Sequence, residues 1–214
     1  MTISENLLTI RSELRRFPAA QLVAVSKQQN DEVIDEALQA GQRIFGENRV
    51  QEAHRHWADK REAYPDVQLH LIGPLQSNKA AEAVALFDVI QTIDREKIAV
   101  ALDGEMQKQQ RSLPCFIQVN TGEEPQKAGI MPDALGDFIT FCHTETKLTI
   151  TGLMCIPPVA APAALHFLLL RKLAARHDLP HVSMGMSDDY LTALRCGATH
   201  IRVGSGIFGS RSAA

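Results

Sequence analysis

The sequence predicts an α/β fold: a single (β/α)8 barrel with one extra helix ahead of its first strand. Three observations carry this reading. Eight short apolar runs alternate with segments of helical periodicity. The runs mostly lack in-out alternation, as expected of parallel strands covered on both faces. The 214 residues, 45% apolar, suffice for one core that buries roughly 70% of the unfolded surface. A doubly wound open sheet shares the alternation, and the count of eight favours closure. The length is at the lower end for such a barrel, and one domain over 1–214 is expected.

The elements follow in order. Leu7, Ile10, Leu14 and Phe17 recur at helical spacing behind a Thr2/Glu5 capping box, which predicts the opening helix. The first strand is the run Leu22-Val23-Ala24-Val25-Ser26-Lys27. Asn30 or Asp31 caps a helix carrying Val33, Ile34, Ala37 and Leu38, and Gly41 supplies its left-handed stop. Strand two covers 43–46, and a helix covers 48–63. Strand three covers 69–73, with a helix opening near Ser77 or Asn78. Strand four is 89–93, and Asp94 caps the next helix. Strand five is 115–119, and Pro132 begins a helix that aligns Leu135, Phe138, Ile139 and Cys142. Strand six is 150–156, followed by a leucine-rich helix over 163–177. Strand seven is 181–184, followed by a short helix capped by Ser187 or Asp188 and ended by Gly197. The last strand stops on Gly204-Ser205-Gly206.

Composition narrows the function. A net charge of -3 offers no general field for a polyanion, so neither nucleic acid nor an anionic membrane is expected as partner. Residues 1–17 contain charges and no continuous apolar stretch, which argues against a secretory signal or membrane span. Cys115, Cys142, Cys155 and Cys196 lie far apart and read as reduced core thiols of a cytoplasmic protein. His54 and His56 are two apart and share no helix face, so no metal is predicted.

Closure of the barrel brings the first strand beside the last. Ligands of such barrels bind where strand carboxyl ends meet the following loops, often with phosphate held after strands seven and eight. Lys27, Asn48, Ser187, Arg202, Gly204 and Ser205 fall at those ends. Lys27 shares strand parity with Val23 and Val25, so its amine points to their side of the sheet rather than to solvent. Desolvation makes such an amine a better nucleophile toward an aldehyde. Glycines 204 and 206 let backbone amides approach an anion, to which the Ser205 and Ser187 hydroxyls add donors. Each residue also has a plain structural use: Lys27 as a solvated strand end, Gly204-Ser205-Gly206 as a simple turn, Ser187 as an N-cap, and Asn48 as an N-cap with Gln51 completing the box. Arg202 serves either a carboxylate on a covering helix or an anion or ring nitrogen in the barrel mouth.

Six segments resemble one known family in composition and order. They are Val25-Ser26-Lys27; Phe45-Gly46-Glu47-Asn48-Arg49-Val50-Gln51-Glu52; His70-Leu71-Ile72-Gly73-Pro74-Leu75-Gln76-Ser77-Asn78-Lys79; Gly152-Leu153-Met154; Ser183-Met184-Gly185-Met186-Ser187-Asp188; and Arg202-Val203-Gly204-Ser205-Gly206-Ile207-Phe208-Gly209. Over 22–211 the chain is similar to the pyridoxal phosphate homeostasis proteins. The resemblance implies a barrel like the amino-terminal domain of alanine racemase, holding pyridoxal 5'-phosphate (PLP) as a Schiff base on Lys27. Ser187, Gly204 and Ser205 would hold the phosphate, Arg202 would face the pyridine nitrogen, and Asn48 would line the ring pocket. It further implies a carrier that buffers PLP and delivers it to PLP-dependent apo-enzymes. The chain departs from the family at Ser205, where threonine is usual, at Ala128, where serine is usual, and in a shortened 159–164 segment.

Turnover of its own is not expected. Arginine at the pyridine nitrogen weakens the ring as an electron sink, and Tyr64 and Tyr190, the two phenols, stand at no strand end. A low-activity racemase or decarboxylase, or a cofactor-free Schiff-base aldolase using Lys27, are the alternatives. A monomer is expected, since closure leaves no long strand edge and the helices show no heptad seam.

Overall fold

The computed structural model describes residues 2–209. Its eight strands are β1 (Gln21–Val25), β2 (Ile44–Glu47), β3 (Gln68–Leu71), β4 (Val89–Ile93), β5 (Pro114–Gln118), β6 (Thr149–Met154), β7 (His181–Ser183) and β8 (His200–Val203). Each pairs in parallel with the next, and β8 returns to β1, closing the barrel. The seam runs over four pairs, from Gln21 opposite His200 to Ala24 opposite Val203. This closure settles the fold as a (β/α)8 barrel rather than an open sheet.

The helices are α1 (Ile3–Leu14), α2 (Asp31–Gln39), α3 (Val50–Trp57), α4 (Lys60–Ala63), α5 (Ala80–Leu86), α6 (Glu96–Lys108), α7 (Leu135–Glu145), α8 (Ala163–Arg176), α9 (Tyr190–Arg195) and α10 (Ser205–Phe208). The extra helix α1 opens with the predicted Thr2/Glu5 capping box. It packs against α2 and α10, and Asn6 Nδ2 donates to Ile207 O at 2.8 Å. Asn30 caps α2 through Val33 N, and Gly41 at φ +78° turns the chain out of it.

Several boundaries differ from the sequence-based ones. β1 stops at Val25, and Lys27 sits in the turn beyond it. The single helix expected over 48–63 is broken between Trp57 and Lys60. Phe17 lies past α1 and packs on the core from the connecting turn. Asp94 does not cap α6; Arg95 occupies that position with no side-chain cap, and Asp94 pairs with Arg95. Pro132 opens a turn, and α7 starts only at Leu135. These are local signals that several turn geometries satisfy equally.

Strand parity divides the buried residues into two layers. Leu22, Ala24, Leu69, Ile90 and Ile201 pack outward against the helices with Ile34, Leu38, Val84 and Leu170. The alternate residues Val23, His70, Gln91, Phe116, Met154, Ser183, His200 and Arg202 fill the barrel interior, which therefore carries polar side chains through its depth. The C-terminal mouth of that interior carries the site.

Candidate functional site

At the mouth, where β1 and β2 meet β7 and β8, lies a cavity of about 270 Å³. Lys27, Asn48, Ser187, Arg202, Gly204 and Ser205, all six residues singled out in the sequence, line it. Val25, Ile72, Ile156 and Met186 add apolar wall. A cavity of roughly 150 Å³ accommodates benzene, so this one has room for a substituted aromatic ring.

The lysine end is built from a turn. Val25 and Lys27 both line the cavity, as shared parity requires. Ser26 N donates to Gly46 O at 3.1 Å, extending the β1–β2 pairing one residue past the strand. Beyond Lys27, Gln28 takes a left-handed φ of +59°, which turns the chain toward α2.

Asn48 follows β2 directly. The capping position of α3 belongs to Arg49, without a side-chain cap, so Asn48 is not spent on the helix. The loop after β3 closes down on it so tightly that a Cβ on Gly73 would stand 2.3 Å from Asn48 O. Only glycine fits there.

The opposite end is formed by two loops. Ser187 does not cap α9; the capping residue is Asp189, which makes no side-chain cap. The Ser187 hydroxyl instead accepts from Gly204 N at 3.3 Å and Gly206 N at 3.1 Å. A Cβ at Gly206 would press to 2.8 Å from Val203 Cγ1. Two hydroxyls and a run of backbone amides thus gather at the start of α10, a donor-rich pocket suited to phosphate oxygens.

Arg202 lies at the base of the cavity. It is 4% exposed, and its Nη1 donates to Ser183 Oγ at 2.7 Å and its Nη2 to Cys155 O at 2.8 Å. Its hydrogen-bond partners are neutral oxygens rather than a helix carboxylate, and burial lowers its pKa from the ordinary arginine value. Ser183 Oγ in turn donates to Gln91 Oε1 at 2.6 Å, and Gln91 Nε2 lies 2.8 Å from His70 Nδ1. Because the Gln91 oxygen receives the serine proton, its amide nitrogen faces the ring as donor. His70 Nδ1 is then the acceptor, and the imidazole proton sits on Nε2, buried without a partner among the described residues. Burial pushes the His70 pKa down to about 4.

Sequence reasoning missed this relay, whose one visible sign was Gln91 inside the apolar run Val89-Ile90-Gln91-Thr92-Ile93. It also missed a group behind the lysine turn, where Glu47, Glu52 and His56 bring three ligand-type atoms within 4.8 Å of one another. His56 Nδ1 in that group is hydrogen-bonded to Glu47 Oε1 at 2.9 Å. Neither tyrosine lines the cavity: Tyr64 lies under the Arg43 guanidinium at 5.3 Å, and the Tyr190 hydroxyl donates to Glu13. All four cysteines are buried and free of disulfides, and burial pushes the Cys142 pKa to about 11 and the Cys155 pKa to about 12. Among the described residues no helix is long and apolar enough to cross a membrane.

The arrangement can do three things to one small molecule: attack a carbonyl with an amine, hold an anion, and fix a flat polar ring against a guanidinium. Comparison with known proteins matches that chemistry. The family model described as "Alanine racemase, N-terminal domain" matches residues 1–212. A protein of Pasteurella multocida strain Pm70 named "Pyridoxal phosphate homeostasis protein" is 36% identical, over 99% of this chain and 98% of its own. One of the same name from Vibrio cholerae serotype O1 is 42% identical, over 92% and 88%. PipY of Synechococcus elongatus PCC7942, solved both without PLP and with PLP bound, superposes with a TM-score of 0.90 at 40% identity, over 97% of this chain and 100% of that one.

Proposed function

The chain belongs to the pyridoxal phosphate homeostasis proteins, within the wider alanine racemase N-terminal domain family, and from that premise we propose that it binds PLP through Lys27 and serves as a cytoplasmic buffer and donor of the cofactor. The observation that carries the reading is convergence. Six residues drawn from both ends of the sequence, from 27 to 205, line one cavity whose donors match the three functional ends of PLP.

Lys27 would be the tether, the residue whose amine holds the cofactor at its aldehyde end. Ser187, Ser205 and the amide of Gly204 would hold the phosphate, the amides of Gly204 and Gly206 turning from the Ser187 hydroxyl to the ligand's oxygens. Arg202, already braced by Ser183 and Cys155, would offer its guanidinium to the pyridine nitrogen as a fixed donor. Asn48 borders the ring. When bound, PLP would supply a reactive aldehyde carbon and an aromatic ring able to accept electron density.

Storage rather than turnover suits the residues present. An arginine at the ring nitrogen opposes its protonation, and neither phenol borders the cavity as an opposing acid or base. The four buried thiols fit a reducing compartment. The partners would be PLP and PLP-dependent apo-enzymes, met by a monomer of one domain spanning 1–214.

The test is spectroscopic. Purified protein incubated with PLP should develop visible absorbance that borohydride abolishes, with mass added at Lys27, and Lys27→Ala should show neither. Loaded protein should activate a PLP-dependent apo-enzyme while leaving amino acids unaltered. A preparation that stays colourless in excess PLP, or one that racemises or decarboxylates amino acids, would overturn the reading.

A further inference from the structure

The backbone on either side of Lys27 is held by carboxylates from a single short stretch of chain. Upstream, Ser26 Oγ donates to Glu47 Oε1 at 2.7 Å; downstream, Gln28 N donates to Glu52 Oε1. Glu47 ends β2 and Glu52 lies in the first turn of α3, so both acceptors ride on the stretch 47–52 that also supplies Asn48. Neither carboxylate lines the cavity.

Glu47 is fully buried, an unfavourable place for an acid unless donors surround it. His56 Nδ1 at 2.9 Å and Trp57 Nε1 at 3.1 Å meet the same oxygen as Ser26, while Oε2 stays buried without a partner. An apolar residue would fill that space without stranding an oxygen. What only the acid supplies is a rigid acceptor for the hydroxyl of the residue preceding Lys27. Downstream, Gln28 holds a left-handed backbone that disfavours any side chain with a Cβ, and the bond from its amide to Glu52 secures it.

We infer that Glu47 and Glu52 form a two-point clamp on the Lys27 turn and act as positioning residues that aim its amine into the cavity, setting the rate at which an aldehyde is captured and given up. The inference rests on Lys27 being the PLP tether. Its chemistry is geometric: the amine attacks the aldehyde carbon from one direction, and a small displacement of an attacking group slows the step by one to two orders of magnitude.

Two variants isolate the two points. Ser26→Ala removes the upstream bond and leaves Glu47 with His56 and Trp57; Glu52→Ala removes the downstream bond from a residue that is partly exposed. Stopped-flow absorbance should show each capturing PLP about tenfold more slowly than wild type, yet reaching the same end point of borohydride-trapped cofactor on Lys27. Glu52→Gln retains an acceptor oxygen and should restore most of the rate. In cofactor-free protein, hydrogen exchange at the Gln28 amide should rise in Glu52→Ala and return in Glu52→Gln, with β1 amides unchanged. Normal capture by both alanine variants beside a normally capturing wild type would overturn the clamp alone. Unchanged Gln28 exchange in Glu52→Ala would do the same. A wild type that captures nothing would overturn the role of Lys27, and the clamp with it.

Discussion

The mouth and the floor of the barrel are made from the same eight strands and treat polar side chains in opposite ways. At the mouth, Lys27, Ser187 and Ser205 border a cavity. On the floor, His70 and His200 are buried with Phe116 around them; ring centroids lie 5.8 Å apart for His70–His200 and 5.2 Å for Phe116–His200, and His181 completes the set at 5.5 Å from His200. Burial pushes His70 to about 4 and His200 to about 3, with His70, His181 and Arg202 adding repulsion for the latter. Imidazoles kept neutral act as shaped packing with one hydrogen-bonding edge. Between the regions stands Arg202, which opens onto the mouth and is hydrogen-bonded through Ser183 and Gln91 to the floor. The difference teaches that a polar barrel interior need not be a binding surface throughout. Its lower half is a support.

Acid is the strongest way to break that support. Both histidines have folded pKa values below the unfolded value near 6.5, so the unfolded chain binds more protons between pH 6.5 and pH 4 and stability must fall as pH falls through that window. Each contributes up to about 1.4 kcal/mol per pH unit, and urea midpoints measured from pH 7.5 to pH 4.5 should drop steeply. His200→Phe should flatten the profile. A pH-independent midpoint would remove the contrast.

Cutting the connection should have a smaller effect. Ser183→Ala leaves Gln91 Oε1 and one Arg202 N–H unpaired, for a loss of about 1–3 kcal/mol in urea unfolding and weaker PLP retention through a loosened guanidinium. Equal retention by the variant and wild type would separate floor from mouth altogether. The smallest effect belongs to the rim. Ser205→Thr keeps the hydroxyl and adds a methyl at an exposed position, so PLP affinity should change by no more than about twofold. A larger change by absorbance titration would mean that the hydroxyl's rotamer, and not its presence, governs the grip.

Much of this was legible in the residues. The eight strands were found because each is an apolar run of parallel-sheet type, and the mouth residues because they end those runs. Closure then made neighbours of Lys27 and Gly204. The side-chain partners missed around the site share one cause. Ser187 before a short helix has the local signature of a cap, but its partners are amides 17 and 19 residues onward, at the end of β8. Gln91 and Ser183 are 92 residues apart, and Glu47 meets Ser26 across 21. Hydrogen bonds across such separations depend on register and side-chain direction, which no local pattern encodes.

The seam between β1 and β8 has a consequence for biosynthesis. One wall of the cavity comes from residue 27 and the other from 187–205, so the pocket straddles the joint between the barrel's first strand and its last. A nascent chain on the ribosome holds residue 27 long before it holds residues 187–205. The cavity is complete only once β8 has been made and has paired with β1, so its formation reports that the ring has shut.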